Sequence, residues 1–137
     1  MIAASDPDRH GAAPSSRLMS PSAPEDLYAA SEPDLVTMDD AAFAVRRFGS
    51  GPPLLLVHGF PTHGATWRWL LPSLATRFEC VVIDLPGLGD SGWSSGTDFR
   101  LTAQARRLLG LLDSLGIERT GVVAHDTGAT VARLLAL

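Results

Sequence analysis

The chain has 137 residues, a net charge of −4 and 45% hydrophobic residues, which suits one modest globular domain and excludes a fully disordered chain. All eleven basic residues are arginine, so a phosphate-loop lysine and a Schiff-base lysine are excluded, and no basic excess indicates nucleic acid. The single cysteine, Cys80, excludes an intrachain disulfide and a cysteine cluster for zinc, and it suits a reducing, cytoplasmic setting. No apolar run reaches the roughly 18 residues that cross a membrane.

Residues 1–34 are predicted to form a disordered tail. They hold five of the ten prolines and few large apolar side chains, so they cannot bury enough surface to offset their ordering entropy. The segment lacks the basic start and unbroken apolar core of a signal peptide, and it is alternatively upstream sequence translated from an early start codon. Its six acidic and two basic residues carry the whole charge excess of the chain. Residues 35–137 are then one partial domain without net charge.

The first predicted elements are strands. Residues 35–39 and 43–48 read as a β-hairpin, and the glycine- and proline-rich residues 49–53 read as a turn. Residues 54–59, "LLLVHG", form a continuous apolar run, as expected of a strand that is covered on both faces. A helical pattern follows at Trp67, Leu70, Leu71 and Leu74, with a bend predicted at Pro72.

Two further strand–helix units follow. Residues 80–85 and 121–125 read as buried strands, and a long glycine-rich loop follows the first of them. Between them lies a predicted amphipathic helix with Thr102 as its N-cap and Gly116 as its C-terminal stop. Its apolar face is marked by Ala105, Leu108, Leu109, Leu112 and Leu115. A last helix is predicted from Thr127 onward.

Alternating strands and helices predict an α/β fold with a mostly parallel sheet, helices on both faces and an N-terminal β-hairpin. In such sheets ligands bind at the carboxyl ends of the strands. The polar, glycine-rich segments "HGFPTHG", "DLPGLGDSG" and "HDTGA" all fall at those ends. We therefore expect one site there, and no phosphate-binding glycine motif follows the first buried strand.

Asp126 is the candidate catalytic residue. Ala124 and Gly128 flank it at two positions on either side, as a nucleophile on a tight strand-to-helix turn requires. The alternative is that Asp126 only caps the following helix, and residues 124–128 taken by themselves favour that role. The neighbouring loops favour the nucleophile instead. A carboxylate is already ionised near neutral pH and can attack a saturated carbon, which forms an ester to the enzyme.

Two backbone N–H groups are predicted to form an oxyanion hole for this chemistry, those of Phe60 and Thr127. Hydrolysis of the ester requires a water that a histidine activates. His58 is predicted to be structural, His63 to lie on an exposed helix start, and His125 to point away from its neighbour Asp126. None of the three is a good candidate for the base.

The motifs "HGFP", Trp67, "DLPGLGDSG" and "HDTGA" resemble the α/β-hydrolase superfamily in order and spacing. With an Asp at the turn, the chain resembles the branch of that superfamily whose nucleophile is an Asp. This branch contains the haloalkane dehalogenases, epoxide hydrolases and fluoroacetate dehalogenases. The resemblance covers residues 35–137. Haloalkane dehalogenases usually carry Asn or Glu at the position of Phe60 and Trp at that of Thr127, so "HGFP" resembles the other two groups more. Their Trp or Arg after the Asp is also replaced by Thr127.

The resemblance implies a small-molecule substrate, no cofactor, no metal, no nucleic acid and no membrane. It also implies a lid, a third catalytic acid and a late catalytic histidine, which the 137 residues do not contain. We therefore expect an N-terminal fragment of a hydrolase that is incomplete and inactive by itself. The alternative is a non-catalytic half-domain that pairs with a partner or a second copy through its open sheet edge at residues 122–124.

Overall fold

The computed structural model describes residues 26–136. The strands are β1 (Asp34–Met38), β2 (Ala41–Phe48), β3 (Pro53–Val57), β4 (Glu79–Asp84), β5 (Gly92–Trp93) and β6 (Gly121–Ala124). These six strands form one sheet in the order β1-β2-β4-β3-β6, and the short β5 pairs with β2. β1 and β2 form the hairpin, β2 pairs antiparallel with β4, and β3 pairs parallel with both β4 and β6. The predicted α/β class with an N-terminal hairpin is confirmed.

The region predicted as one bent helix holds two short helices. A 3₁₀ helix spans Gly64–Trp67, and α1 spans Leu71–Leu74 with Pro72 in its first turn. Proline is tolerated there because the first N–H groups of a helix have no intrahelical acceptor. Pro72 therefore helps to start a new helix, and the prediction of a bend within one helix is wrong.

The two remaining helices are α2 (Leu101–Ser114) and α3 (Thr127–Leu135). The N-cap of α2 is Arg100, so the prediction of Thr102 is wrong. Asp98 lies just outside the helix, and its Oδ1 accepts the Arg100 N–H at 3.0 Å. The polar residue that marks the start of α2 is therefore Asp98, four positions before Thr102. Gly116 follows the end of α2 with φ +69, the left-handed conformation expected of a C-terminal stop.

Hydrophobic clusters cover both faces of the sheet. On one face α2 and α3 pack over the strands through residues such as Leu108, Leu111 and Val131, all fully buried. On the other face Trp67 and Leu71 from the two short helices cover Leu56, Cys80 and Val82. The continuous apolar runs in β3 and β4 are explained by this two-sided burial.

Part of the predicted tail belongs to the packed domain. Residues 1–25, most of that tail, lie outside the described residues. Within residues 26–34, Tyr28 is 7% exposed and packs in the cluster of Trp67. Its hydroxyl accepts a hydrogen bond from Arg46 Nη1 at 3.0 Å, and the Arg46 guanidinium lies 4.4 Å from its ring centre. The packed part of the chain therefore begins before the predicted boundary at Leu35.

The parallel register aligns the ends of three strands. Val57 of β3 is paired with Ile83 of β4 on one side and with Ala124 of β6 on the other. The residues that follow these positions leave the sheet together at the carboxyl ends of the strands. The three glycine-rich segments meet at these carboxyl ends.

Candidate functional site

Asp126 occupies a strained turn between β6 and α3. Its backbone has φ 51 and ψ −132, one of two positive φ values among the described non-glycine residues. Such backbone conformations cost free energy and cluster at functional sites. Gly128 makes the turn possible, because a Cβ there would lie 2.2 Å from the His58 carbonyl oxygen and 2.8 Å from that of Val57. Gly128, two positions after Asp126, is thus required by the close contact between α3 and the end of β3.

The Asp126 carboxylate makes no side-chain cap hydrogen bond to α3. It turns toward the β3 loop instead, where its Oδ2 accepts the Phe60 N–H at 2.9 Å. The same N–H lies 3.0 Å from Thr127 Oγ1. The cap interpretation therefore lacks the hydrogen bond that would define it. All three predicted site residues, Phe60, Asp126 and Thr127, lie together.

Gly59 allows this approach between the two loops. A Cβ on Gly59 would lie 2.5 Å from Asp126 Cβ and 2.6 Å from its Oδ2. Any larger residue would displace the carboxylate from the Phe60 N–H. The glycine in "HGFP" is therefore required by the position of Asp126.

Backbone donors hold the Asp126 carboxyl in its charged form. The Thr127 N–H, which lies near the carboxylate without forming a cap hydrogen bond, and then the Phe60 N–H lower the pKa of Asp126 below its ordinary value of 3.8. The N-terminus of α3 adds to the preference for an anion. The side chain is exposed, so the group is both ionised and accessible.

The three described histidines have other contacts. His58 is fully buried, its Nε2 accepts the Leu85 N–H at 2.8 Å, and its Nδ1 lies 2.9 Å from the Gly59 carbonyl oxygen. These bonds fix the tautomer with the proton on Nδ1, and burial lowers the pKa of His58. His63 Nδ1 accepts the Ala65 N–H at 3.5 Å at the start of the 3₁₀ helix. The His58 contacts support a structural role.

The ring of His125 packs edge-on against Trp67, with 5.3 Å between the ring centres. Trp67 covers the sheet face opposite α2 and α3, so the imidazole lies on that face rather than over the turn. Its Nε2 is buried without a hydrogen-bond partner among the described residues.

A second acidic residue, Asp84 at the end of β4, organises the loops, and no role was predicted for it from the sequence. It is 1% exposed; its Oδ1 accepts the Gly64 N–H at 2.6 Å, and its Oδ2 accepts the Asp90 N–H at 2.9 Å. Arg46 Nη1 lies 3.8 Å from Oδ2. Asp84 therefore ties "HGFPTHG" to "DLPGLGDSG". The sequence does contain a signal for Asp84: like Asp126, it is a carboxylate at the end of an apolar strand.

A cavity of about 510 Å³ opens beside Phe60 and Thr127. Its other lining residues come from the segment after β4 and from the start of α2: Leu85, Pro86, Gly87, Leu88, Trp93, Phe99, Leu101 and Gln104. An ion pair between the buried Arg107 and the half-buried Asp40 supports its wall: Arg107 Nε donates to Asp40 Oδ1 at 2.7 Å, and Nη1 donates to the Asp98 carbonyl at 2.8 Å. Gln104 and Arg107 were also missed, although both interrupt the apolar face of α2.

Two kinds of feature are absent from the part of the chain that the structure describes. Within residues 26–136, no helix has the length and hydropathy to cross a membrane. Across the same range, no three His, Cys, Asp or Glu side chains group as metal ligands.

Comparison with known proteins gives consistent matches. Residues 52–137 match the family model described as alpha/beta hydrolase fold. A soluble epoxide hydrolase from Corynebacterium sp. (strain C12) is 42% identical over 84 residues, 61% of this chain and 29% of that protein. A pimeloyl-[acyl-carrier protein] methyl ester esterase from Aeromonas hydrophila is 35% identical over 69% of this chain and 35% of its own length. A fluoroacetate dehalogenase from Burkholderia sp. is 34% identical over 81% of this chain and 38% of its own length.

Solved structures agree with these relatives. A Pseudomonas aeruginosa protein assigned as an epoxide hydrolase superposes with a TM-score of 0.71 at 38% identity, over 77% of this chain and 36% of that one. A proposed ancestral haloalkane dehalogenase gives a TM-score of 0.70 at 36% identity, over 75% and 36% of the two chains. The chain thus spans about a third of the length of the relatives it matches. On the family match and these structural likenesses, the chain belongs to the α/β-hydrolase family, with epoxide hydrolases and dehalogenases among its relatives.

Proposed function

We propose that Asp126 is the nucleophile of an epoxide hydrolase or dehalogenase type of reaction, in which the enzyme first forms an alkyl ester. The observation that carries the proposal is the orientation of the Asp126 carboxylate. It stands on a strained turn, makes no cap hydrogen bond to α3, and is bonded instead to the Phe60 N–H. A capping Asp has no need of either the strain or the opposing loop.

In the first step one carboxylate oxygen attacks a saturated carbon of the substrate. With an alkyl halide, the new C–O bond replaces the carbon–halogen bond and halide leaves with the electron pair. With an epoxide, a ring C–O bond breaks and the ring oxygen takes a proton from water. The other oxygen, Oδ2, stays on the Phe60 N–H and becomes the ester carbonyl oxygen.

The oxyanion hole serves the second step. When water attacks the ester carbon, negative charge develops on the oxygen that the Phe60 N–H already holds, and the Thr127 N–H supports it from the start of α3. Donors that are in place before the charge develops need no reorganisation. The proposal for Phe60 and Thr127 is supported by the contact of both residues with Asp126.

Ester hydrolysis also needs a base, and the described histidines are engaged elsewhere. His58 is bonded at both nitrogens, and His125 packs against Trp67 on the opposite face of the sheet. We therefore propose that the 137-residue chain forms the ester and does not turn over. We also propose that the substrate is a small molecule and that the protein works in the reducing setting of the cytoplasm.

The test is the mass of the intact chain after incubation with 1,2-epoxyoctane. We expect one addition, equal to the mass of one epoxide, and no steady release of the diol. Asp126→Asn is the matched control and stays unmodified. Continuous diol formation by the purified chain would contradict the proposed block at the ester, and several additions in both proteins would show non-specific alkylation.

A second candidate function is pairing through the edge of β6. Among the described residues β6 pairs only with β3, and Val122 is 42% exposed. Exposed strand edges with apolar side chains recruit other strands. We expect self-association in sedimentation experiments that Val122→Lys weakens and that Thr120→Lys, just before the strand, leaves unchanged. A monomer at all concentrations would refute self-pairing.

A further inference from the structure

The cavity beside Asp126 has a chemical character that its lining residues define. None of the ten lining residues carries a charge. A charged ligand group would lose its hydration there without gaining a counter-ion, which is strongly unfavourable. Most of the lining is hydrocarbon and aromatic. The cavity therefore suits a neutral molecule with an extended apolar part.

Gln104 is the exception in this lining. The residue is 6% exposed, and its Oε1 is buried without a hydrogen-bond partner among residues 26–136. It lies one helical turn before Leu108, on the face of α2 that packs against the sheet. A leucine would fill such a position without leaving a buried polar atom unsatisfied. Because Oε1 is enclosed as placed, it reaches a partner in the cavity once the terminal torsion of Gln104 turns the amide over.

The Gln104 amide can either accept a hydrogen bond from a ligand or donate one to it. The terminal torsion of a glutamine side chain is broad, so the oxygen and the nitrogen exchange places at low cost. The oxygen accepts a hydrogen bond and the nitrogen donates one. A ligand hydroxyl, which both donates and accepts, matches either orientation.

We propose that Gln104 is a specificity-determining residue that hydrogen-bonds a hydroxyl group of a neutral, otherwise apolar substrate. This inference rests on the proposed function, since it places the reacting carbon of the same substrate near Asp126. The cavity that Gln104 lines is also lined by Phe60, whose N–H donates to the Asp126 carboxylate, and by Thr127, the residue after Asp126. The hydrocarbon part of the substrate fills the space between.

The test measures binding in the absence of chemistry. In the full chain carrying Asp126→Asn, calorimetry gives the dissociation constants of 7,8-epoxyoctan-1-ol and 1,2-epoxyoctane. These molecules differ only in the terminal hydroxyl. We expect the hydroxylated epoxide to bind about fivefold more tightly, as one net hydrogen bond allows. The charged analogue 7,8-epoxyoctanoate is expected to bind more weakly than both.

Substitution of Gln104 is the discriminating step. Gln104→Leu, added to the same chain, is expected to abolish the preference or to invert it, because a leucine favours the plain hydrocarbon. Thr102→Ala, an exposed change on the same helix, preserves the preference. Gln104→Asn shortens the side chain while keeping the amide, and we expect it to retain part of the preference, which guards against a leucine variant that fails to fold.

The outcomes separate the two proposals. An unchanged preference in a folded Gln104→Leu chain, tighter binding of the carboxylate, or no binding of either neutral epoxide overturns the role of Gln104. Alkylation of Asp126 in the unmodified chain would still support the proposed function in those cases. A preference that depends on Gln104, together with no alkylation at Asp126, would refute the nucleophile and keep the binding site.

Discussion

The Phe60 N–H donates a hydrogen bond to Asp126 Oδ2 at 2.9 Å, although 66 positions separate the two residues in the sequence. The contact follows from the sheet. β3 and β6 are parallel neighbours, so the loops that leave their carboxyl ends meet. Glycines at positions 59 and 128 remove the side chains that would otherwise keep these loops apart.

Gly128→Ala should destabilise the fold. The added Cβ would meet two backbone carbonyl oxygens of the β3 end, which cannot rotate away as a side chain would. We expect a loss of about 3 kcal/mol in the free energy of unfolding, measured by urea titration with circular dichroism. Gly96→Ala is the control, because a Cβ there is free of close contacts and should change stability by less than about 0.5 kcal/mol. Equal stability of the two variants would contradict the close approach.

Arg107→Met tests the ion pair with Asp40 under the cavity wall. The Arg107 side chain is fully buried, and its loss removes one donor to Asp40, which keeps the Asp98 N–H, and the donor to the Asp98 carbonyl. We expect a loss of about 2 kcal/mol in the same titration. Arg106→Met, on the exposed face of the same helix with 70% side-chain exposure, is expected to cost less than about 1 kcal/mol. Similar losses in both variants would show that the burial of Arg107 does not matter.

The rate of alkylation at Asp126 should not depend on pH between about 5.5 and 8. The Thr127 and Phe60 N–H groups lower the pKa of Asp126, so the attacking carboxylate is already ionised throughout that range. The rate with 1-bromohexane, a substrate that needs no proton, can be followed by intact mass. Burial raises the pKa of the Cys80 thiol, so alkylation at that thiol would increase with pH. Cys80→Ala should therefore keep the flat profile, and a steep increase in rate with pH would assign the reaction to another group.

Asp98 should contribute an acid-sensitive part of the stability. The Arg100 guanidinium, its main partner, lowers the pKa of Asp98 to about 2 in the folded chain, against about 4 when unfolded. Because the folded value is the lower one, the contribution is complete above pH about 4 and is lost as pH falls toward 2. The difference in melting temperature between the wild-type chain and Asp98→Asn should therefore narrow between pH 6 and 2.5. A constant difference would exclude this linkage.

The sequence predicted the sheet well because apolar runs and glycine positions depend on local chemistry. The runs in β3, β4 and β6 matched strands, and the pattern around Asp126 matched a strained turn. Helix starts were less predictable. The start of α2 depends on Asp98, which lies outside the helical pattern, and Pro72 begins a helix where a bend was expected.

Motifs predict residues that lie together in the structure, whereas residues whose contacts depend on tertiary packing are not found from the sequence. Phe60, Asp126 and Thr127 were chosen from motifs and lie together. The roles of Asp84 and Gln104 depend on which loop or cavity each side chain meets, and that is set by the assembled sheet. The sequence signal for Gln104 is a polar residue on the apolar face of α2, and that for Asp84 is a carboxylate at the end of the apolar strand β4.

The central claim is that the Asp126 carboxylate forms the bond to carbon. Its most direct test is fragmentation mass spectrometry of the chain after one equivalent of 1,2-epoxyoctane has been incorporated. We predict that the added mass lies on the peptide containing "HDTGA" and, within it, on Asp126, and that hydroxylamine removes it as expected of an ester. Addition at His125, Cys80 or another carboxylate, with Asp126 unmodified, would contradict the account.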